Sequence, residues 1–205
     1  MTSAILDLSR MKPAFADPTS ESQFIFRKLL DAMSQPGTLH DLSAAPTPPP
    51  GVSRAAAAVI LTLSDQDASL WLDPALRGGE AETWFRFHCG ASLVTDPAAA
   101  AFAVICHDLA SADLRIFNQG DAKYPDCATT VIVETPALEG GAAITLSGPG
   151  IQSTATVAPA ALDAAFWRQR AEIVSKFQFG VDLFITAGDR LFAMPRTTRV
   201  NLQGV

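Results

Sequence analysis

The side chains able to do chemistry in this sequence are few and fall in separate places. His88-Cys89 and Cys106-His107 are two thiol and imidazole pairs, suited to zinc if the chain folds back to bring all four together. Neighbouring residues in a strand point to opposite faces, so both members of a pair reach one ion only from a turn. Core cysteines and polar histidines, with no bound metal, are therefore the expectation. Cys106-His107-Asp108 offers a thiol, a base and a carboxylate in a row. Consecutive placement makes no triad, because catalytic partners normally converge from separate segments. The lysines are Lys12, Lys28, Lys123 and Lys176; none is marked as a Schiff-base former, and exposure is expected for them.

Two further segments are built for anions or for turns. Ser147-Gly148-Pro149-Gly150-Ile151 follows a predicted strand, and its glycines could bring backbone N–H groups close to an anion, although Pro149 supplies none. A tight strand-ending turn explains the same residues. No lysine follows and no helix opens directly after it, so it is neither a phosphate loop nor a dinucleotide fingerprint. Pro195-Arg196-Thr197-Thr198-Arg199 sets guanidinium and hydroxyl donors near the end of the last predicted strand, able to grip a phosphate-type anion or to dock a partner. Strand ends bring loops together on one edge of a sheet. Ser147, Gly148, Gly150, Arg196, Thr197 and Thr198 are thus expected to lie near one another as an anion pocket or a docking surface. Arg196 is expected to be exposed and to contribute little to stability.

These segments need elements to hold them. Ser20 with Gln23 has capping-box spacing, and Phe26, Leu29, Leu30 and Met33 recur at helical period before Pro36-Gly37, predicting a helix over Glu21 to Ser34. Four prolines between Ala44 and Gly51 forbid regular structure. Arg54 to Leu63 reads as a buried helix and Ser69 to Leu72 as a short strand. Asp96-Pro97 starts a short helix over Ala98 to Ala101, followed by a buried strand over Phe102 to Cys106. A helix is predicted from Asp108 to near Gly120, and strands over Thr129 to Glu134 and Ala143 to Ser147. Leu162, Phe166, Gln169, Ile173 and Phe177 give one amphipathic helix ending before Gly180. Val181 to Thr186 and Arg190 to Ala193 form a hairpin around Ala187-Gly188-Asp189. Alternating helices and strands with an antiparallel hairpin predict a three-layer α/β fold, a mixed sheet flanked by helices.

The 205 residues fit one domain, and 48% apolar against 18% charged residues is a globular composition. A net charge of −6 and a pI near 4.9 disfavour nucleic acid. Asp7 and Arg10 interrupt the N-terminal apolar run, and no stretch is long enough to span a membrane, so neither signal peptide nor anchor is expected. Three widely spaced cysteines favour a reducing cytoplasm over a disulfide framework.

Taken together, Gln23 to Arg27, Leu30-Asp31-Ala32-Met33-Ser34-Gln35-Pro36-Gly37, Leu146-Ser147-Gly148-Pro149-Gly150-Ile151, Gly180-Val181-Asp182-Leu183 and Pro195-Arg196-Thr197-Thr198 resemble the PhnH family, in order and separation, over nearly the whole chain. The resemblance implies a homodimer that joins the other subunits of the carbon-phosphorus lyase core complex. That pathway couples phosphonate to an ATP-derived ribose and later cleaves the carbon-phosphorus bond. The radical step belongs to another, iron-sulfur subunit. For this chain the resemblance implies an accessory role without independent activity or, as the alternative, a phosphonate- or nucleotide-binding subunit with a direct catalytic contribution. The resemblance also implies a fold similar to the large domain of pyridoxal-phosphate-dependent transferases, without that cofactor. Gln178 stands where the family commonly has proline before its Gly-Val-Asp motif.

Overall fold

Strand patterning divides the apolar residues between two cores. The computed structural model describes residues 11–175 and 178–201. Along them run α1 (Pro18–Ser34), β1 (His40–Asp41), α2 (Arg54–Leu63), β2 (Ser69–Leu72), α3 (Glu80–Cys89), β3 (Ser92–Leu93), β4 (Phe102–Ile105), β5 (Thr130–Glu134), β6 (Ile144–Ser147), β7 (Ala155–Val157), α4 (Ala164–Val174), β8 (Asp182–Ala187), β9 (Arg190–Met194) and β10 (Arg199–Asn201). Successive strand residues face opposite sides. Leu70, Leu72, Val104, Ile132, Phe184, Leu191 and Ala193 therefore join α1, α2 and α3 in one core. Trp71, Ala103, Ile105, Val131, Val133, Leu183, Ile185, Phe192 and Met194 enter a second, with Ile144, Leu146 and Val157 of β6 and β7 and Phe166 and Trp167 of α4.

The main sheet has seven strands in the order β1-β9-β8-β5-β4-β2-β3. Strands β3, β2, β4, β5 and β8 are mutually parallel, whereas β9 is antiparallel to both β8 and β1. The expected α/β fold with a mixed sheet flanked by helices is what the chain adopts. A second sheet, β10-β6-β7, is wholly antiparallel and covers part of one face. The sequence patterns did not predict this small sheet or α3.

Several boundaries differ for physical reasons. α1 starts at Pro18, with Asp17 rather than Ser20 as its cap: Asp17 Oδ1 accepts from Ser20 N at 3.2 Å, and Glu21 Oε1 accepts from Asp17 N at 3.0 Å. The helix predicted over 98–101 is a single 3-10 turn, Pro97–Ala99. The one predicted from Asp108 is replaced by 3-10 turns at Leu109–Ser111 and Leu114–Ile116. There Asp108, Asp113, Asn118 and Asp121 bond nearby serine or backbone groups, competing with helical bonding. In α4 the buried side chains are Phe166, Trp167 and Arg170. Gln169 instead accepts from Leu114 N at 2.6 Å. Phe177, Lys176 and the N-terminal run with Asp7 and Arg10 lie outside the described residues. No helix among the described residues is long and apolar enough to cross a membrane.

Candidate functional site

β10 pairs with β6 so that Arg199 lies opposite Ser147 and Val200 opposite Leu146. This register lays the turn after β6 against the turn before β10. The first is closed by Ile151 N donating to Gly148 O at 3.1 Å, the second by Thr198 N donating to Pro195 O at 2.9 Å. Side chains at the glycines would collide with neighbouring segments. A Cβ on Gly148 would stand 3.0 Å from Thr197 O. One on Gly150 would stand 2.2 Å from Ser34 O and 2.8 Å from Pro36 Cδ, at a φ of +82°. One on Gly37 would meet Leu146 at 3.1 Å. The Pro36-Gly37, Ser147 to Ile151 and Pro195 to Thr198 segments, distant in sequence, thus meet at one junction.

A cavity of about 630 Å³ opens there, lined by Gly148, Pro149, Val174, Arg196, Thr197 and Arg199 among others. Ser147, Gly150 and Thr198 adjoin the junction without lining the cavity. Gly150 is spent on the contact with α1, and Thr198 is fully buried. Arg196 is not the exposed arginine that the sequence led one to expect. Its guanidinium is held by Asp182, with Nη2 donating to Oδ2 at 2.9 Å and Nε to Oδ1 at 3.4 Å. Nη1 donates to Pro125 O, and the backbone N donates to Asp182 Oδ1 at 2.6 Å. Only about a fifth of either side chain is exposed, at 20% and 19%. The reason is the hairpin: Asp182 opens β8 and Arg196 lies just beyond the end of β9, which brings the pair to one edge of the sheet. Arg199 is exposed on β10 with no ion pair among the described residues, so it is the guanidinium that a ligand in the cavity would meet first.

Beneath the same turn lies Arg170, fully buried, whose Nη2 donates to Pro195 O at 2.9 Å. Sequence reasoning missed Arg170 and met Asp182 only within the Gly180 to Leu183 motif, without a role. The available signal was position: Arg170 falls four residues after Phe166 and three after Trp167, on the apolar stripe of α4. Burial pulls its pKa down to about 10, with Asp182 opposing the shift.

The thiol and imidazole pairs are placed apart from this junction. His88 and Cys89 lie on α3, where His88 Nε2 is 3.0 Å from Lys12 O and Cys89 is half-buried beside Ile60 O. Cys106 follows β4, and its backbone N–H, like that of His107, donates to Asp73 Oδ2. Burial pushes the Cys89 thiol up to about 12. The Cys106 thiol is pushed equally high by burial, then by the charges of Asp73 and Glu134. Neither is an activated nucleophile at neutral pH. Glu134 itself is raised by burial, opposed by its bond from Ser53. The described residues contain no group of three or more His, Cys, Asp or Glu able to hold a metal ion. Of the lysines, Lys12 donates to Pro48 O at 3.1 Å, and Lys28 and Lys123 stand over Phe24 and Tyr124.

Residues 13–201 match the family described as bacterial phosphonate metabolism protein (PhnH). The chain is 39% identical over 187 residues to the alpha-D-ribose 1-methylphosphonate 5-triphosphate synthase subunit PhnH of Rhizobium meliloti (strain 1021), covering 91% of this chain and 94% of that one. It is 30% identical over 182 residues to the putative C-P lyase subunit protein HtxG of Stutzerimonas stutzeri, covering 89% and 87%.

Proposed function

The chain belongs to the PhnH family of bacterial phosphonate metabolism, and we propose that it serves there as an accessory subunit of the carbon-phosphorus lyase assembly, without independent activity. The observation that carries this reading is the near full-length match to a protein named as a synthase subunit. The weakly acidic, half-buried thiols agree with a role outside nucleophilic chemistry. One main sheet passing between both cores supports reading the chain as a single domain, and a seven-stranded sheet with one reversed strand suits the likeness to the pyridoxal-phosphate transferase large domain. The cysteines at 89, 106 and 127 are unpaired, which supports a cytoplasmic location.

A second reading, in which the subunit itself holds a phosphonate or nucleotide intermediate, is favoured by the Arg199 cavity. Arg199→Ala separates the two. Its melting temperature is expected to stay near that of the parent protein, since exposed positions usually change stability by less than about 0.5 kcal/mol. Capture of the other lyase subunits, or growth on a phosphonate, is expected to fall severalfold. Lost capture with unchanged anion titration makes the cavity a docking surface; lost anion titration with intact capture makes it a ligand site. If capture and growth both remain normal, the cavity has neither role.

The homodimer implied by the family is proposed on the same footing. Phe24, Phe26 and Leu30 on α1, with Leu39 just beyond it, are large apolar side chains about half exposed, which supports self-association. Sedimentation at micromolar concentration is expected to give twice 21.6 kDa, and a 21.6 kDa species throughout would oppose it.

A further inference from the structure

Arg170 is a fully buried guanidinium, and most of its hydrogen-bonding capacity is unused among the described residues. Nη2 donates to Pro195 O, but Nε and Nη1 find no acceptor among the described residues. Two other buried polar atoms are in the same condition among the described residues: Trp167 Nε1, three residues before it on α4, and Thr198 Oγ1, on the turn whose Pro195 carbonyl Arg170 holds. Buried polar groups are almost always paired, and a buried charge needs both a counter-charge and acceptors. The carboxylate that interacts with Arg170 is Asp182, and Arg196 already takes both its oxygens. Among the described residues two guanidinium groups therefore share one carboxylate, which leaves one positive charge there uncompensated.

That excess charge sits where the cavity needs it. Pro195, whose carbonyl holds Arg170, begins the turn that carries Arg196, Thr197 and Arg199 along the cavity wall. Val174, one helical turn on from Arg170, lines the same wall. A charge in low-dielectric surroundings is screened far less than one at the surface.

We propose that Arg170 is the inner positioning residue of this anion site, its uncompensated charge drawing an oxyanion onto Arg199 so that binding completes the charge balance of the buried cluster. The proposal rests on reading the cavity as an anion site. Arg170 remains protonated at neutral pH, since burial lowers its pKa only to about 10.

The test is thermal melting of the full chain with inorganic phosphate, against chloride at matched ionic strength. Wild type is expected to melt higher as phosphate rises. Arg170→Met is expected to melt above wild type without phosphate, because an unpaired buried charge has been replaced by an apolar side chain, and to bind phosphate at least tenfold more weakly. Arg170→Lys, which keeps the charge and loses the fork, is expected to bind within about threefold of wild type. No phosphate response in wild type overturns the cavity reading and this inference together. A full response retained in Arg170→Met, or a Met variant that melts lower and binds normally, overturns the Arg170 role alone and makes it a strut for Pro195. Should the Met variant not fold, a tenfold loss of phosphate affinity in a well-folded Arg170→Lys overturns the role, and affinity within threefold supports it.

Discussion

Asp182→Ala is expected to cost the protein about 3 kcal/mol, more than Arg196→Ala, although the two side chains form one ion pair. Breaking a buried pair by removing one partner costs roughly 3–5 kcal/mol, and the residual exposure of about a fifth on each side chain places this pair at the lower end. The asymmetry comes from what is left behind. Without Arg196, Asp182 still accepts the backbone N–H of residue 196 and still faces Arg170. Without Asp182, neither Arg196 nor Arg170 keeps a counter-charge among the described residues. Urea unfolding checks this as a fall in midpoint at unchanged slope. An Asp182→Ala protein within 0.5 kcal/mol of wild type on that rough scale, or one more stable than Arg196→Ala, would show that the charge cluster is balanced otherwise.

Gly150→Ala is expected to cost about 2–5 kcal/mol, adding roughly 1–3 for overpacking to 1–2 for a left-handed L-residue. The new methyl group would meet backbone at 2.2 Å, and the Ser34 carbonyl at the end of α1 cannot rotate away as a side-chain tip would. Gly140→Ala is the control: its φ is also positive, at +89°, but nothing lies within 4 Å of the added carbon. It should therefore lose only the conformational part. Equal midpoints for the two variants would refute the steric argument, whereas a large gap would also predict that Gly150→Ala disturbs the cavity by pushing the β6 turn off α1.

Where local patterns were strong, the sequence was legible. Arg54 to Leu63 folds as the predicted helix with Ser53 capping Ala56 N, and Ser69 to Leu72 is the predicted strand. The hairpin of β8 and β9 also lies where expected, with Ala187 opposite Arg190. A run of apolar residues bounded by caps and turns carries this information within ten residues. Residues 108 to 121 misled because their Asp and Asn side chains satisfy nearby groups outside a helix, so the polar residues between apolar ones are not a helix's outer face.

By itself, then, the sequence determined the α/β class, the main strands, the approach of the Ser147 and Pro195 segments, and the family. All of these depend on local periodicity or on motifs that can be read in order along the chain. Only the tertiary structure decided what the site residues do. Arg196 and Arg199 lie three apart on one segment, yet the first is committed to Asp182 and Pro125, 14 and 71 residues away in sequence, while the second faces the cavity. Gly150 is required by a carbonyl at position 34, and Arg170 is turned inward by the packing of α4. A side chain's charge and shape are written at its own position, but its counter-charge, its exposure and the space around it come from remote segments that meet only when the two sheets and their helices close together.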